Sequence, residues 1–147
     1  MQNNDIIKMD KKRKDRRSET DEVFTPFSLL EIMSKYISDD TWNDPTKIFL
    51  DNCCGNGQII LFIINKKLEL GHSYIQALST TYGLDIMEDN IIECKQRIIN
   101  FLNEKNITYD LNTVNKIINH NIKCGNALKW DYENWCPIKE NKSIPLF

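Results

Sequence analysis

The most constraining feature of the chain is a short apolar run, Ile48-Phe49-Leu50, that stops at an acid and enters Asp51-Asn52-Cys53-Cys54-Gly55-Asn56-Gly57, followed by the apolar-rich stretch Ile59 to Leu70. Three apolar residues are too few for a helix, two glycines break regular structure, and the third segment has helical spacing, so the reading is strand, glycine loop, helix. A similar pattern returns twice. Thr80 to Leu84 reads as a strand ending at Asp85, with an amphipathic stretch from Glu88 to Asn103 behind it that puts Ile91, Ile92, Cys94, Ile98, Ile99 and Leu102 on one side. Asn121 to Cys124 reads as a third strand ending at Gly125, preceded by one or two helical turns in Leu111 to Asn119, and a further helix is expected over Ser73 to Ser79. Strands alternating with helices predict an α/β fold with a parallel, doubly wound sheet.

Ahead of this alternation, Phe27 to Ile37 has helical spacing with Ser28 as the expected N-cap, and Asp39 to Thr46 reads as a polar loop. Residues 1–20 show almost no apolar periodicity and form an expected flexible arm, leaving 21–147 as one domain. With 147 residues, 41% apolar and 27% charged, the composition excludes disorder along the whole length. A charged N-terminus and the lack of a long apolar window predict a cytoplasmic protein with no membrane span. The five cysteines, Cys53, Cys54, Cys94, Cys124 and Cys136, contain no C-x-x-C pair and are expected as reduced, mostly buried thiols. His72 and His120 stand alone and are assigned to structure or surface. The net charge is -2, but Lys8 to Arg17 holds seven basic residues against Asp10 and Asp15. Such an arm either holds the phosphates of DNA or is simply solvated.

In an open parallel sheet, ligands sit beyond the carboxyl ends of the strands, so the residues after each strand carry the functional information. After the first strand, Gly55 and Gly57 remove β-carbons that would keep a ligand from the backbone, and the helix that follows offers unpaired N–H groups. Ile60 stands where a dinucleotide fingerprint needs its third glycine. After the second strand, Gly83-Leu84-Asp85-Ile86 offers a carboxylate that suits a ribose diol, although an isolated acid there more often serves as a helix N-cap. After the third, Gly125-Asn126-Ala127-Leu128 offers an amide that suits the edge of an adenine ring or a turn.

Together with Val23-Phe24-Thr25-Pro26, these segments resemble the adenine-specific DNA methyltransferases of restriction-modification or phage type, which use S-adenosylmethionine (SAM). The glycine loop is similar to that family's Asp-Pro-Ala-Cys-Gly-Ser-Gly, Gly83 to Ile86 to its Gly-x-Asp-Ile, and Gly125 to Leu128 to its Gly-Asp-Ala-Leu. Asn52, Asn56 and Asn126 depart from Pro, Ser and Asp. The resemblance implies a Rossmann-like methyltransferase fold and a cofactor site of Phe24, Thr25, Pro26, Asp51, Asn52, Cys53, Gly55, Gly57, Asp85, Ile86, Asn126 and Ala127. In it, Thr25 contacts the methionine carboxylate and Asp51 the amino group, while Gly55 and Gly57 let the backbone pass beside the methionine chain. Asp85 holds the ribose hydroxyls, Ile86 packs on the adenine, and Asn126 meets its amino group.

The family's catalytic loop, Asn or Asp followed by Pro-Pro and an aromatic, has no counterpart; Trp130 to Ile138 supplies Asn134, aromatics and one proline in another order. No catalytic residue is assigned. Trp130, Tyr132 and Trp135 suit either base stacking or a core. The family's sheet has seven strands, whereas three are expected here with a possible short fourth at Ser143 to Phe147, so the fold reads as truncated after the third or fourth strand. The expectations are methyl transfer to the adenine exocyclic amine in DNA with a partner supplying the missing loop, or a catalytically silent SAM-binding module. A homo-oligomer or a second polypeptide is expected to cover the exposed sheet edge.

Overall fold

The computed structural model describes residues 25–140; Phe24, the basic arm and the Ser143 to Phe147 segment lie outside the described residues. The described chain is mixed α/β. Its elements run α1 (Phe27–Ser34), α2 (Asp39–Asn43), β1 (Phe49–Asp51), α3 (Gln58–Glu69), α4 (Tyr74–Ser79), β2 (Thr81–Asp85), α5 (Glu88–Glu104), α6 (Leu111–Asn121), β3 (Ile122–Cys124), a 3₁₀ turn (Ala127–Lys129), β4 (Trp130–Asp131) and β5 (Cys136–Pro137). Strands β1, β2 and β3 form a parallel sheet in that order, with Phe49 in register with Thr81 and Gly83 with Ile122. Strands β4 and β5 pair separately as a small antiparallel hairpin.

Side chains alternate across the sheet, and the two faces are covered differently. On one face, Ile122 and the loop residue Cys54 meet Ile60 and Ile64 of α3, Ala77 and Leu78 of α4, Ile91, Cys94, Ile98 and Leu102 of α5, and Val114 and Ile118 of α6. On the other face, Leu84 packs with Trp130 and Trp135 of the hairpin, with Tyr82 beside them. The three rings are arranged edge to face, Tyr82 to Trp135 at 4.9 Å and Trp130 to Trp135 at 5.3 Å. Trp130 and Trp135 are therefore core residues, and only Tyr132 of that aromatic group is exposed.

Three local expectations are corrected. The helix over Phe27 starts one residue after Pro26, which occupies the N-cap position without a side-chain bond, so Ser28 lies inside the first turn. Residues 39–43 form a helix where a polar loop was expected: Ser38 accepts the N–H of Thr41, Asp39 and Asp40 sit in the first turn where the helix dipole favours them, and Trp42 buries against the Phe49 ring at 4.5 Å. Along α5, Ile92 is exposed, because the buried stripe is narrower than the run of apolar residues.

All five cysteines are free, but only Cys54 and Cys94 are buried, while Cys53 and Cys124 stand exposed near strand ends. The hydrogen bond between Cys54 and Cys94, together with burial, pushes the Cys54 thiol well above its ordinary titration range. His72 is buried, and His120 is exposed with Nδ1 against Asn121 Oδ1 at 2.7 Å. Among the described residues, no helix is long and apolar enough to cross a membrane.

Candidate cofactor site

The three loops that follow β1, β2 and β3 are tied to one another. Cys54 donates its N–H to the Leu84 carbonyl at 2.9 Å, and Gly125 donates to the Asp85 carbonyl at 2.9 Å, so β2 holds both neighbouring loops by its backbone. Asp85 adds side-chain bonds: Oδ1 accepts the Gly55 N–H at 3.2 Å, and Oδ2 accepts the Met87 N–H at 3.0 Å and the Asn90 amide at 3.2 Å. The carboxylate is buried, and it ties the residues leading into α5 to the glycine loop.

The loop itself is compact. Gly57 donates to the Cys54 carbonyl at 2.9 Å, and Gly55 and Gly57 have φ of 53° and 96°, the left-handed region that glycine enters without steric cost. A β-carbon on Gly57 would lie 2.6 Å from Cys94 Sγ, so the bare Cα there seats the loop on α5. The glycine requirement at Gly57 thus comes from packing as well as from the turn. Arg97 of α5 donates to the Asn56 carbonyl at 3.1 Å and to Gln58 Oε1 at 3.2 Å, closing the loop from behind.

Asp51 behaves differently from Asp85. Its Oδ1 accepts the Cys53 N–H at 3.1 Å, but its Oδ2 is buried with no hydrogen-bond partner. Burial raises the Asp51 pKa above the ordinary carboxylate value, partly offset by the Cys53 bond, and the negative charge of Asp85 raises it further. Asp51 and Asn52 also border a groove of about 460 Å³ beside β1, lined by Met33, Ile37 and Thr41 from the α1–α2 region and by Ile59 and Ile63 of α3.

Around this centre, Ile86 is 64% exposed, an apolar side chain left at the strand end. Cys124 Sγ lies 3.4 Å from the Ile86 carbonyl. Asn126 spends its Oδ1 on the Leu128 N–H at 3.0 Å, the turn role that its position also suits. Ala127 packs against the hairpin cluster, and its carbonyl accepts the Tyr132 hydroxyl at 2.8 Å. Asn52 reaches the same hydroxyl at 3.4 Å, so Tyr132 links the loop after β1 to the loop after β3. Thr25 is half-buried and Pro26 exposed at the start of α1, where the Pro26 carbonyl accepts N–H groups of its own helix. The bonds described here join three of the four expected segments, and the Thr25-Pro26 segment is not among them.

Asn90 and Arg97 take part in this arrangement without having been singled out in the sequence, and Tyr132, expected as a base-stacking or core residue, instead ties two loops together through its hydroxyl. Asn90 had a local signal, since a residue in the first turn of the helix after Asp85 lies within reach of its carboxylate. Arg97 had none, because its partners are brought to it only by tertiary packing. Cys53, although exposed, has its thiol pKa raised by desolvation and then by Asp85 and Asp51, which makes it a poor nucleophile. Among the described residues, no group of His, Cys, Asp and Glu has the arrangement of a metal site.

No protein-family model, curated protein or solved structure matches this chain.

Proposed function

We propose that the chain binds S-adenosylmethionine at the ends of β1, β2 and β3, as the cofactor half of a Rossmann-like methyltransferase related to the adenine-N6 DNA methylases. The observation that carries this reading is the buried, unpartnered Oδ2 of Asp51 beside a glycine loop. A buried carboxylate oxygen without a donor costs free energy, and a ligand ammonium group removes that cost by pairing with it. The methionine end of SAM brings such a group. Asp85 is the second anion of the edge, and the repulsion between the two carboxylates favours a cationic ligand over a pyrophosphate. Together with Ile60 at the third glycine position, this sets a nicotinamide dinucleotide below SAM as the ligand.

In this reading, Asp51 orients the ammonium group, and Asp85 accepts ribose hydroxyls on the lone pairs left beside its internal bonds. Ile86 lies against the adenine face, and Asn126 meets the ring edge with its amide. Bound SAM supplies a sulfonium methyl group for transfer; the substrate is the exocyclic amine of adenine in DNA, and the Lys8 to Arg17 arm is its phosphate contact.

A second reading, a catalytically silent SAM-binding module or regulatory subunit, is favoured by the hairpin. Asn134, the one asparagine available in that region, donates to Asp131 Oδ2 at 2.9 Å, and Trp130 and Trp135 are consumed in the core. Titration calorimetry with SAM, its demethylated product and NAD tests the shared part of both readings: the first two bind and NAD does not. A folded chain with no heat for SAM ends both. Transfer of a labelled methyl group to unmethylated DNA then separates an enzyme from a module, and the chain by itself is expected to transfer little or none.

A further inference from the structure

Among the described residues, strand β1 is an open edge of the sheet. Phe49 donates to the Thr80 carbonyl at 2.8 Å and is in register with Thr81, so the backbone groups of Phe49 and Asp51 face β2 while those of Ile48 and Leu50 face outward. The side chains along that edge are apolar and uncovered: Ile48 is 66% and Leu50 44% exposed. On the hairpin face they line a groove of about 190 Å³ with Tyr82, Tyr132 and Trp135. A bare edge with apolar flanks is a template for another strand.

We propose that this edge pairs with the same edge of a second copy, antiparallel and centred on Phe49, in a two-fold symmetric dimer with one continuous sheet. The segment Lys47-Ile48-Phe49-Leu50-Asp51 is complementary to itself when run in the opposite direction. Lys47 falls opposite Asp51 of the second copy, Ile48 opposite its Leu50, and Phe49 opposite its Phe49. Opposite charges and apolar pairs facing one another across strands both stabilise a sheet, and like charges there destabilise it.

The backbone selects the same register. Ile48 and Leu50 carry the outward N–H and C=O groups, so each Ile48–Leu50 pair exchanges two hydrogen bonds, and Phe49 falls in the non-bonded position, where facing residues approach most closely. Centring the pair between two residues sets outward groups against inward ones. Centring it on Ile48 or Leu50 sets Phe49 opposite Lys47 or Asp51 and leaves the charges unmatched. An isologous contact of this kind closes on itself and leaves no further edge of β1 to recruit a third copy.

Light scattering coupled to size exclusion, on the full chain without cofactor, tests this apart from any SAM binding. The expected mass is twice the 17.3 kDa of the chain. Lys47→Glu and Asp51→Lys each place like charges opposite one another and are expected to run as monomers where the wild type is a dimer. An equal mixture of the two restores matched charges at both ends and is expected to recover the dimer. Ile48→Pro removes an outward N–H, and it is expected to give a monomer with an unchanged circular dichroism spectrum. A wild type that stays monomeric to the solubility limit overturns the proposal, as does a mixture that stays monomeric while the wild type dimerises. If Asp51→Lys fails to fold, Lys47→Glu and Ile48→Pro decide the matter, and undiminished dimer in either one is the overturning result.

Discussion

Gly55 donates its N–H to Oδ1 of Asp85 at 3.2 Å, so the acid at the end of one strand holds the glycine loop that follows its neighbour. The same carboxylate accepts from Met87 and Asn90, which makes it both a structural latch and the proposed ribose ligand. Asp85→Ala is therefore expected to lower folding stability by about 1.5–3 kcal/mol, the range for hydrogen bonds to a charged group, and to weaken SAM binding by a similar amount. Urea denaturation and calorimetry on one preparation read both effects. Undiminished affinity in a folded Asp85→Ala chain removes Asp85 from the site.

Asp51→Asn separates ligand binding from stability in the opposite direction. With its pKa raised in the folded state, the Asp51 carboxyl supports folding while protonated, and that contribution is lost as pH rises from the unfolded value of 3.8 through the folded one. Near neutral pH the neutral amide avoids the cost of a buried, unpaired charge. The variant should then equal or exceed the wild type in stability, by up to about 1 kcal/mol, yet lose at least about tenfold in SAM affinity. Melting curves at acidic and neutral pH should show the variant's relative stability rising with pH; a flat difference contradicts this account of Asp51.

Gly57 is expected to fail by unfolding rather than by blocking a ligand. A β-carbon there meets Cys94 Sγ at 2.6 Å, and the backbone has φ of 96°. Gly57→Ala should cost about 2–4 kcal/mol from overpacking and left-handed strain together. Adding Cys94→Ala removes the sulfur and should recover part of that loss. If the double variant is no more stable than Gly57→Ala, the clash is not the cause.

Lys67 lies buried at the opposite end of the sheet, donating to the Thr80 carbonyl and to the hydroxyls of Thr80 and Thr81 beneath the Phe49 ring. Desolvation lowers its pKa from 10.5 to about 8. Between those values the unfolded chain binds a proton that the folded chain has lost, so this group makes stability rise with pH across that window, by about 1–2 kcal/mol. Chemical denaturation at pH values near either end should show the rise in the wild type and not in Lys67→Met. An equal slope in both assigns the effect to other groups.

The periodic part of the fold was legible in the sequence. Seven of the elements, β1, α3, α4, β2, α5, α6 and β3, lie within a residue or two of where apolar spacing and strand-end breaks put them, because those signals are written within a few residues of one another. The short helix at Asp39 was missed because its apolar side is a single residue, Trp42, and its stability comes from a cap and a distant ring. Exposure on α1 was also unreadable: Leu29, Ile32 and Met33 keep helical spacing yet stay exposed, since spacing says which residues share a face and not whether anything covers it.

What the sequence determined by itself is the order of strand, loop and helix and the identity of the residues at the strand ends, because local stereochemistry places glycines, acids and apolar runs where chain direction changes. Only the tertiary structure decided that both oxygens of Asp85 accept internal bonds while one oxygen of Asp51 is left bare, that Gly57 faces Cys94, and that Trp130 and Trp135 serve the core. Those outcomes depend on contacts between segments far apart in the chain, and no local pattern records which buried polar atom will find a partner.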